Sequence, residues 1–203
     1  MSEAQVGRSP FDPVRDGTFK KELVTLIPHL RAFARTLTGD PTAADDLAQD
    51  AMMKAWDARA SFQMGTNMKA WTFMILRNQF YSEKRRSWRQ SQLDQEAAER
   101  TLVAVDDPEA PVALDELRQA LATLPEEQRE ALILVGAGGF AYEEAADICQ
   151  CAVGTVKSRV SRARRALQAT LERGGYARDG RSASDAMRSI LADADRLSGA
   201  RQG

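Results

Sequence analysis

The sequence is poor in the residues that metal and redox chemistry use. It has two cysteines and one histidine, whereas a tetrahedral metal site takes four ligands. Cys149 and Cys151 form a CxC pair far along the chain from His29, so neither a zinc site nor a cofactor is expected. Cys149 reads as a small buried apolar residue and Cys151 as a turn residue. No apolar run approaches the ~18 residues needed to cross a bilayer. The first stretch, MSEAQVGRSPFDPVRDG, lacks the basic-then-apolar order of a signal peptide, and a cytoplasmic protein is expected.

Further absences narrow fold and activity. No segment alternates with a period of two over a useful length, so an all-α chain without a sheet is expected. The glycine-rich GAGGF at 136–140 has neither the following Lys-Ser/Thr nor the preceding strand of a phosphate loop. With no carboxylate or nucleophile cluster beside His29, no catalytic residue is assigned and an enzyme is not expected. Formal net charge is only -1, which excludes a nonspecific polycation. The charges are instead sorted into blocks, and a hydrophobic content of 43% suits one or two small cores.

The most informative block is AVGTVKSRVSRARRAL, Ala152 to Leu167. Val153, Val156, Val160, Ala163 and Leu167 recur at three- and four-residue steps and share one face of a helix. Thr155, Ser158, Ser161, Arg159, Arg162 and Arg165 fall on the far side, with Lys157 and Arg164 flanking the apolar row. Alone, that side reads more readily as a solvated basic face. A second helix from Tyr142 to Cys149 and a short turn precede it, which makes a helix-turn-helix whose second helix suits the major groove of DNA. Early residues of such a helix reach base edges and later arginines meet phosphates.

Elsewhere the pattern is helical with interruptions. Residues 1–17 hold Pro10, Pro13 and Gly17 with little periodicity and are read as a flexible arm. Residues 18–90 form a first domain: a helix broken at Pro28 and ended at Gly39, another from Asp40 and Pro41 to about Arg59, and a long one capped by Asn67. The acidic stretch around VAVDDPEAPV places a linker at 91–112. Residues 113–173 form a second domain, with a helix at 113–123 and another opened by Pro125. A tail at 174–203 repeats apolar residues between Ser184 and Leu197 at the spacing of a short amphipathic helix.

Four segments in order, ADDLAQDAMMKAW, SFQMGTNMKAWTFMILRNQF, LPEEQREALILV and YEEAADICQCAVGTVKSRVSRAR, carry a resemblance. Together they resemble a bacterial extracytoplasmic-function sigma factor, most closely the general-stress-response (EcfG-type) subgroup of alphaproteobacteria, over roughly residues 18–172. The resemblance implies two helical domains, regions 2 and 4, and core RNA polymerase as partner, met at its β′ clamp helices and β flap. It assigns Asp46, Gln49, Asp50 and Met53 to the clamp helices. It assigns the -10 element, with capture of a flipped base, to Phe62 and Asn67 in the loop 62–68 and to Lys69, Trp71, Arg77, Asn78, Lys84, Arg85 and Arg86. Trp71, at helical spacing with Met74 and Ile75, reads more readily as core than as a base platform. The -35 element falls to Thr155, Lys157, Ser158, Arg159, Ser161, Arg162 and Arg165.

The resemblance also implies stress-response promoter DNA and an anti-sigma protein, released by a response regulator with a sigma-like domain. Two positions depart from the family. Ser82 stands where an aspartate is common, and Gln150 stands at the turn glycine. Two other readings stay open at this level: a sigma mimic that binds only the anti-sigma protein, and a stand-alone helix-turn-helix repressor.

Overall fold

The computed structural model describes residues 12–93, 117 and 119–173. All regular structure among them is helical. Helix α1 (Pro13–Thr25) starts inside the segment expected to be a flexible arm, because Asp12 accepts from the backbone amides of Val14 and Arg15 at 3.1 Å each and Pro13 opens the first turn. This is a side-chain cap followed by proline, a start signal that outweighs the local lack of apolar periodicity.

Helix α2 (Ile27–Thr38) restarts directly after Leu26, with Pro28 in its first turn and Gly39 left-handed at φ 70 as its end. Helix α3 (Pro41–Asp57) repeats the Asp-Pro start: the Asp40 carboxylate accepts from the Ala43 amide at 2.7 Å. A short 3-10 turn (Ala58–Ser61) leads into the loop 62–67. Helix α4 (Met68–Leu93) is capped by Asn67, whose side-chain oxygen accepts from the Ala70 amide at 3.0 Å, and it runs past the expected domain end at 90.

In the second half, residues 119–122 are helical, followed by α5 (Glu126–Gly136), α6 (Tyr142–Cys149) and α7 (Val153–Arg173). The expected linker, apart from the end of α4, and the expected C-terminal helix lie outside the described residues. Among the described helices, none is long and apolar enough to cross a membrane.

Helices α1 to α4 form one bundle. Ala44, Ala48, Ala51 and Ala55 line the buried side of α3, where their small side chains allow close approach of α2 and α4. Phe19, Leu30, Phe33, Met68 and Leu76 are almost fully buried there, each worth roughly 1.5–3 kcal/mol of transfer free energy. Helices α5 to α7 form the other bundle around Leu134, Ile148, Val156, Val160, Ala163 and Leu167. The apolar row read from α7 is therefore its packed face, with Val153 half-buried at its start.

The two bundles share a core. Phe73 stacks on Phe33 at 4.8 Å between ring centroids and meets Phe140 edge-on at 5.0 Å. Aromatic pairs in these geometries add about 0.5–1.5 kcal/mol beyond their burial. Helix α4 thus packs on α2 and α3 with one side and on α6 with another.

Candidate nucleic-acid interface

The turn between α6 and α7 sets the aim of the basic helix. Gln150 is left-handed at φ 52 and ψ 46, and the Cys151 amide donates to the Ala146 carbonyl at 3.1 Å. Gln150 is the one non-glycine residue with positive φ among the described residues. The chain therefore bears a strain of about 1–2 kcal/mol that glycine would relieve. Glu144 closes the other end of α6 by accepting from the Ala141 amide at 2.9 Å.

On α7, Lys157, Ser161, Arg162 and Arg165 are exposed, while Thr155 and Ser158 are half-buried beside them. The Arg162 guanidinium donates to the Ser158 hydroxyl at 3.0 Å, and the Lys157 ammonium sits 5.7 Å from the Tyr142 ring centroid. These residues form one open cationic face with hydroxyls at its base. Arg159 departs from that face: it pairs with Glu127 of α5 and donates to the Cys151 sulfur at 3.6 Å.

The residues assigned to the -10 element have a different fate. Phe62 is 4% exposed, packed at 5.7 Å from Phe19 and 5.0 Å from Trp71, so in this conformation it offers no stacking surface. The cause is α1, which the sequence reading placed partly in the arm and which brings Phe19 onto the loop. Trp71 is half-buried against Phe19 and Phe62.

Four of the polar residues in this set reach into the second bundle. The Asn67 amide donates to Glu144 at 2.6 Å, and the Lys69 ammonium donates to the Gly138 carbonyl at 2.8 Å. Arg77 pairs with Glu130 at 2.6 Å, and Lys84 pairs with Glu126. Asn78, Arg85 and Arg86 remain exposed.

Glu130 was not singled out by sequence, although its place four residues before the buried Leu134 puts it on the packed side of α5. Its side chain has no exposed surface. Burial pushes its carboxyl above the usual carboxylate range, against the opposing pull of Arg77 and Tyr81. Burial also pushes the Tyr81 hydroxyl up, reinforced by Glu130. Burial alone would lower Arg77, but its hydrogen bond and attraction to Glu130 carry it upward. Burial pushes the Cys149 thiol up to about 12, the range of an inert structural cysteine.

The residues assigned to polymerase docking stay open. Asp46, Gln49, Asp50 and Met53 are exposed on α3, with Met53 56% accessible. Asp45, next to them, is instead held by Arg31 at 2.8 Å. An apolar groove lined by Leu23, Val24, Met52 and Trp56, with Lys20 at its edge, lies between α1 and α3. Among the described residues no group of histidine, cysteine and carboxylates converges to hold a metal ion.

Residues 23–90 match the sigma-70 region 2 family, and residues 114–167 match the sigma-70 region 4 family. The chain is 46% identical over 159 residues to the ECF RNA polymerase sigma factor EcfG of Rhodopseudomonas palustris, covering 78% of this chain and 87% of that protein. It is 34% identical over 146 residues to the RNA polymerase sigma-H factor of Pseudomonas aeruginosa, covering 66% of this chain and 75% of that one. Its fold matches the sigma factor RpoE of Bartonella quintana, solved in complex with the anti-sigma factor NepR, with a TM-score of 0.69 and 48% identity. That match covers 76% of this chain and 97% of the other. Region 2 and region 4 stand here in the same order on the same two bundles, and the chain belongs to the ECF RNA polymerase sigma factors of the EcfG type.

Proposed function

We propose that this chain docks on core RNA polymerase through the exposed side of α3 and directs initiation at stress-response promoters. The exposed face of α7 reads the -35 element: Lys157, Ser158, Ser161 and Arg162 meet bases or the adjacent backbone, and Thr155 and Arg165 lie nearer phosphates, while Arg159 is held back by Glu127. The loop 62–68 and α4 serve the -10 element. Asn67 becomes the loop's leading base contact, because Phe62 is packed inward. The polymerase supplies all the chemistry.

The observation that carries this reading is the division of α7 into a fully packed apolar row and an open cationic face behind a helix-turn-helix turn. A repressor would account for that helix alone. It would leave the open acidic and methionine-bearing side of α3 without a use.

The closed packing adds a constraint. Asn67, Lys69, Arg77 and Lys84 cannot hold promoter DNA and the second bundle at once. The bundles therefore part before the -10 element is engaged. A NepR-like anti-sigma protein fits the same scheme, since the Bartonella relative with this two-bundle fold was solved with NepR bound.

Run-off transcription with purified core polymerase on a pool of promoter fragments tests the proposal. New discrete start sites are expected with the protein, lost on Arg162→Ala and suppressed by a NepR-type anti-sigma protein. Absence of both transcripts and core association overturns it.

A further inference from the structure

Three residues in the first turns of α1 converge on the start of the loop assigned to the -10 element. One nitrogen of the Arg15 guanidinium, Nη2, is shared among the carbonyls of Phe62 at 2.7 Å, Arg59 at 3.0 Å and Ala60 at 3.4 Å. Asp16 is buried and lies 3.2 Å from the Arg59 guanidinium, an ion pair short of hydrogen-bond alignment. Phe19, one turn after Arg15, meets the Phe62 ring edge-on at 5.7 Å. Arg59 itself is held over the Trp56 ring at 4.5 Å and donates to the Trp56 carbonyl at 2.9 Å.

The end of the 3-10 turn explains why a cation belongs there. The last carbonyls of a helical segment have no partner within it and form the negative end of its dipole. All three contacts come from one terminal nitrogen, Nη2, which lies one bond farther along the side chain than a lysine Nζ, so arginine reaches the three carbonyls where lysine would fall short. One guanidinium thus fixes the backbone on both sides of Ser61 and through Phe62, where the loop departs.

We propose that Arg15 is a positioning residue for promoter melting. By holding the carbonyls of residues 59, 60 and 62 it fixes the direction in which the loop 62–67 leaves the 3-10 turn, and so the place where an unstacked -10 base is received. Arg15 lies outside the residues matched to region 2. The inference rests on assigning that loop to the -10 element.

The test uses holoenzyme assembled from core polymerase and the full chain carrying Arg15→Ala, Arg15→Lys or Asn67→Ala. Binding of a single-stranded non-template -10 oligonucleotide is read by fluorescence anisotropy, beside affinity for core and open-complex formation on duplex and on a template pre-melted at -10. Arg15→Lys keeps the charge, but its ammonium is carried one bond nearer the backbone than the Nη2 of Arg15 and cannot reach all three carbonyls from the same place. Both Arg15 variants are expected to weaken -10 strand binding by the loss of about one stacked base, on the order of tenfold. Core affinity stays at the wild-type value.

Wild-type binding by Arg15→Lys overturns the proposal, since charge alone then suffices. So does a loss of core affinity in step with strand binding, which marks a general scaffold role. Should Arg15→Ala fail to fold, Arg15→Lys decides alone. If Asn67→Ala weakens strand binding while the Arg15 variants do not, this inference fails by itself. If neither residue matters, the loop assignment fails with it.

Discussion

The Arg77 guanidinium lies 2.6 Å from a Glu130 carboxylate that has no exposed surface, and this buried pair ties the two bundles together. Its second arm reaches the other carboxylate oxygen at 3.4 Å, and the Tyr81 hydroxyl donates to that oxygen at 3.3 Å. Removing one partner of such a pair strands a buried charge at a cost of about 3–5 kcal/mol, whereas replacing both by apolar residues of similar size is often nearly neutral. Arg77→Ala and Glu130→Ala are therefore expected to open the bundles, and Arg77→Met with Glu130→Leu to close them again. A fluorescence-transfer pair placed on α3 and α7 reads the outcome. Single variants as closed as the wild type would show that the aromatic core alone holds the bundles.

The same carboxyl gives the closure a pH dependence. Burial in the closed form raises Glu130, while separation returns it toward the ordinary value of about 4.3. The closed form then holds the proton more tightly than the open one. Closure is accordingly strongest at or below the ordinary carboxylate range and weakens as pH rises through the raised value. Acidification from about pH 8 to about pH 5 should increase energy transfer in the wild type and leave Glu130→Gln flat. A flat wild-type profile would remove Glu130 as the responsible group.

Gln150 offers a gain in stability. Its left-handed backbone strains any residue with a side chain, and it is exposed, so no packing is lost on truncation. Relief of about 1–2 kcal/mol is offset by the greater unfolded-state freedom of glycine, about 0.4–1 kcal/mol. Gln150→Gly should raise stability by about 0.5–1 kcal/mol, seen as a higher denaturation midpoint with an unchanged slope.

How much of this was legible follows from distance along the chain. The face of α7 was readable because Val156, Val160, Ala163 and Leu167 repeat within one helix, and burial of that row needs no knowledge of its partner. The Asp40-Pro41 and Asn67 starts were readable for the same local reason. Asp12-Pro13 carries the same signal, yet the surrounding prolines and Gly17 argued for an arm. Phe62 reads as a loop aromatic until Phe19, more than forty residues earlier, is packed on it. Glu130 is one carboxylate in an acidic, apolar run until Arg77, 53 residues away, is set against it. Pairings at that separation leave no periodic trace.

Met53 probes the polymerase reading at its most exposed apolar point. It is 56% accessible and stands among Asp46, Gln49 and Asp50, so a charge there disturbs no core. An apolar anchor at the centre of a polar interface contributes about 2 kcal/mol or more on truncation. Met53→Asp should weaken association with core polymerase by at least about tenfold while leaving the thermal midpoint near the wild type. Wild-type core affinity would move the docking surface elsewhere on the bundle.

Gly138 has no room for a side chain. A Cβ there would lie 2.6 Å from the Leu134 carbonyl oxygen and 2.8 and 2.9 Å from two carbons of the Phe140 ring. The Leu134 carbonyl is backbone that already accepts from the Phe140 amide at 3.1 Å, so it cannot yield without breaking the turn. Phe140 is also pinned, since it meets Phe73 across the two bundles, and Gly138 itself accepts from Lys69. Gly138→Ala is expected to cost about 1–3 kcal/mol and to open the bundles as well. Gly136 is the control: its Cβ would find only Leu132 Cδ1 at 4.0 Å, and alanine at this last helical position should be neutral or stabilise by up to about 1 kcal/mol. Thermal unfolding and the α3–α7 distance, measured on both variants, separate a loss confined to the second bundle from a loss of closure. Equal behaviour of the two variants would mean that the turn relaxes around the added methyl, and that Phe140 and Lys69 hold the bundles without its exact shape.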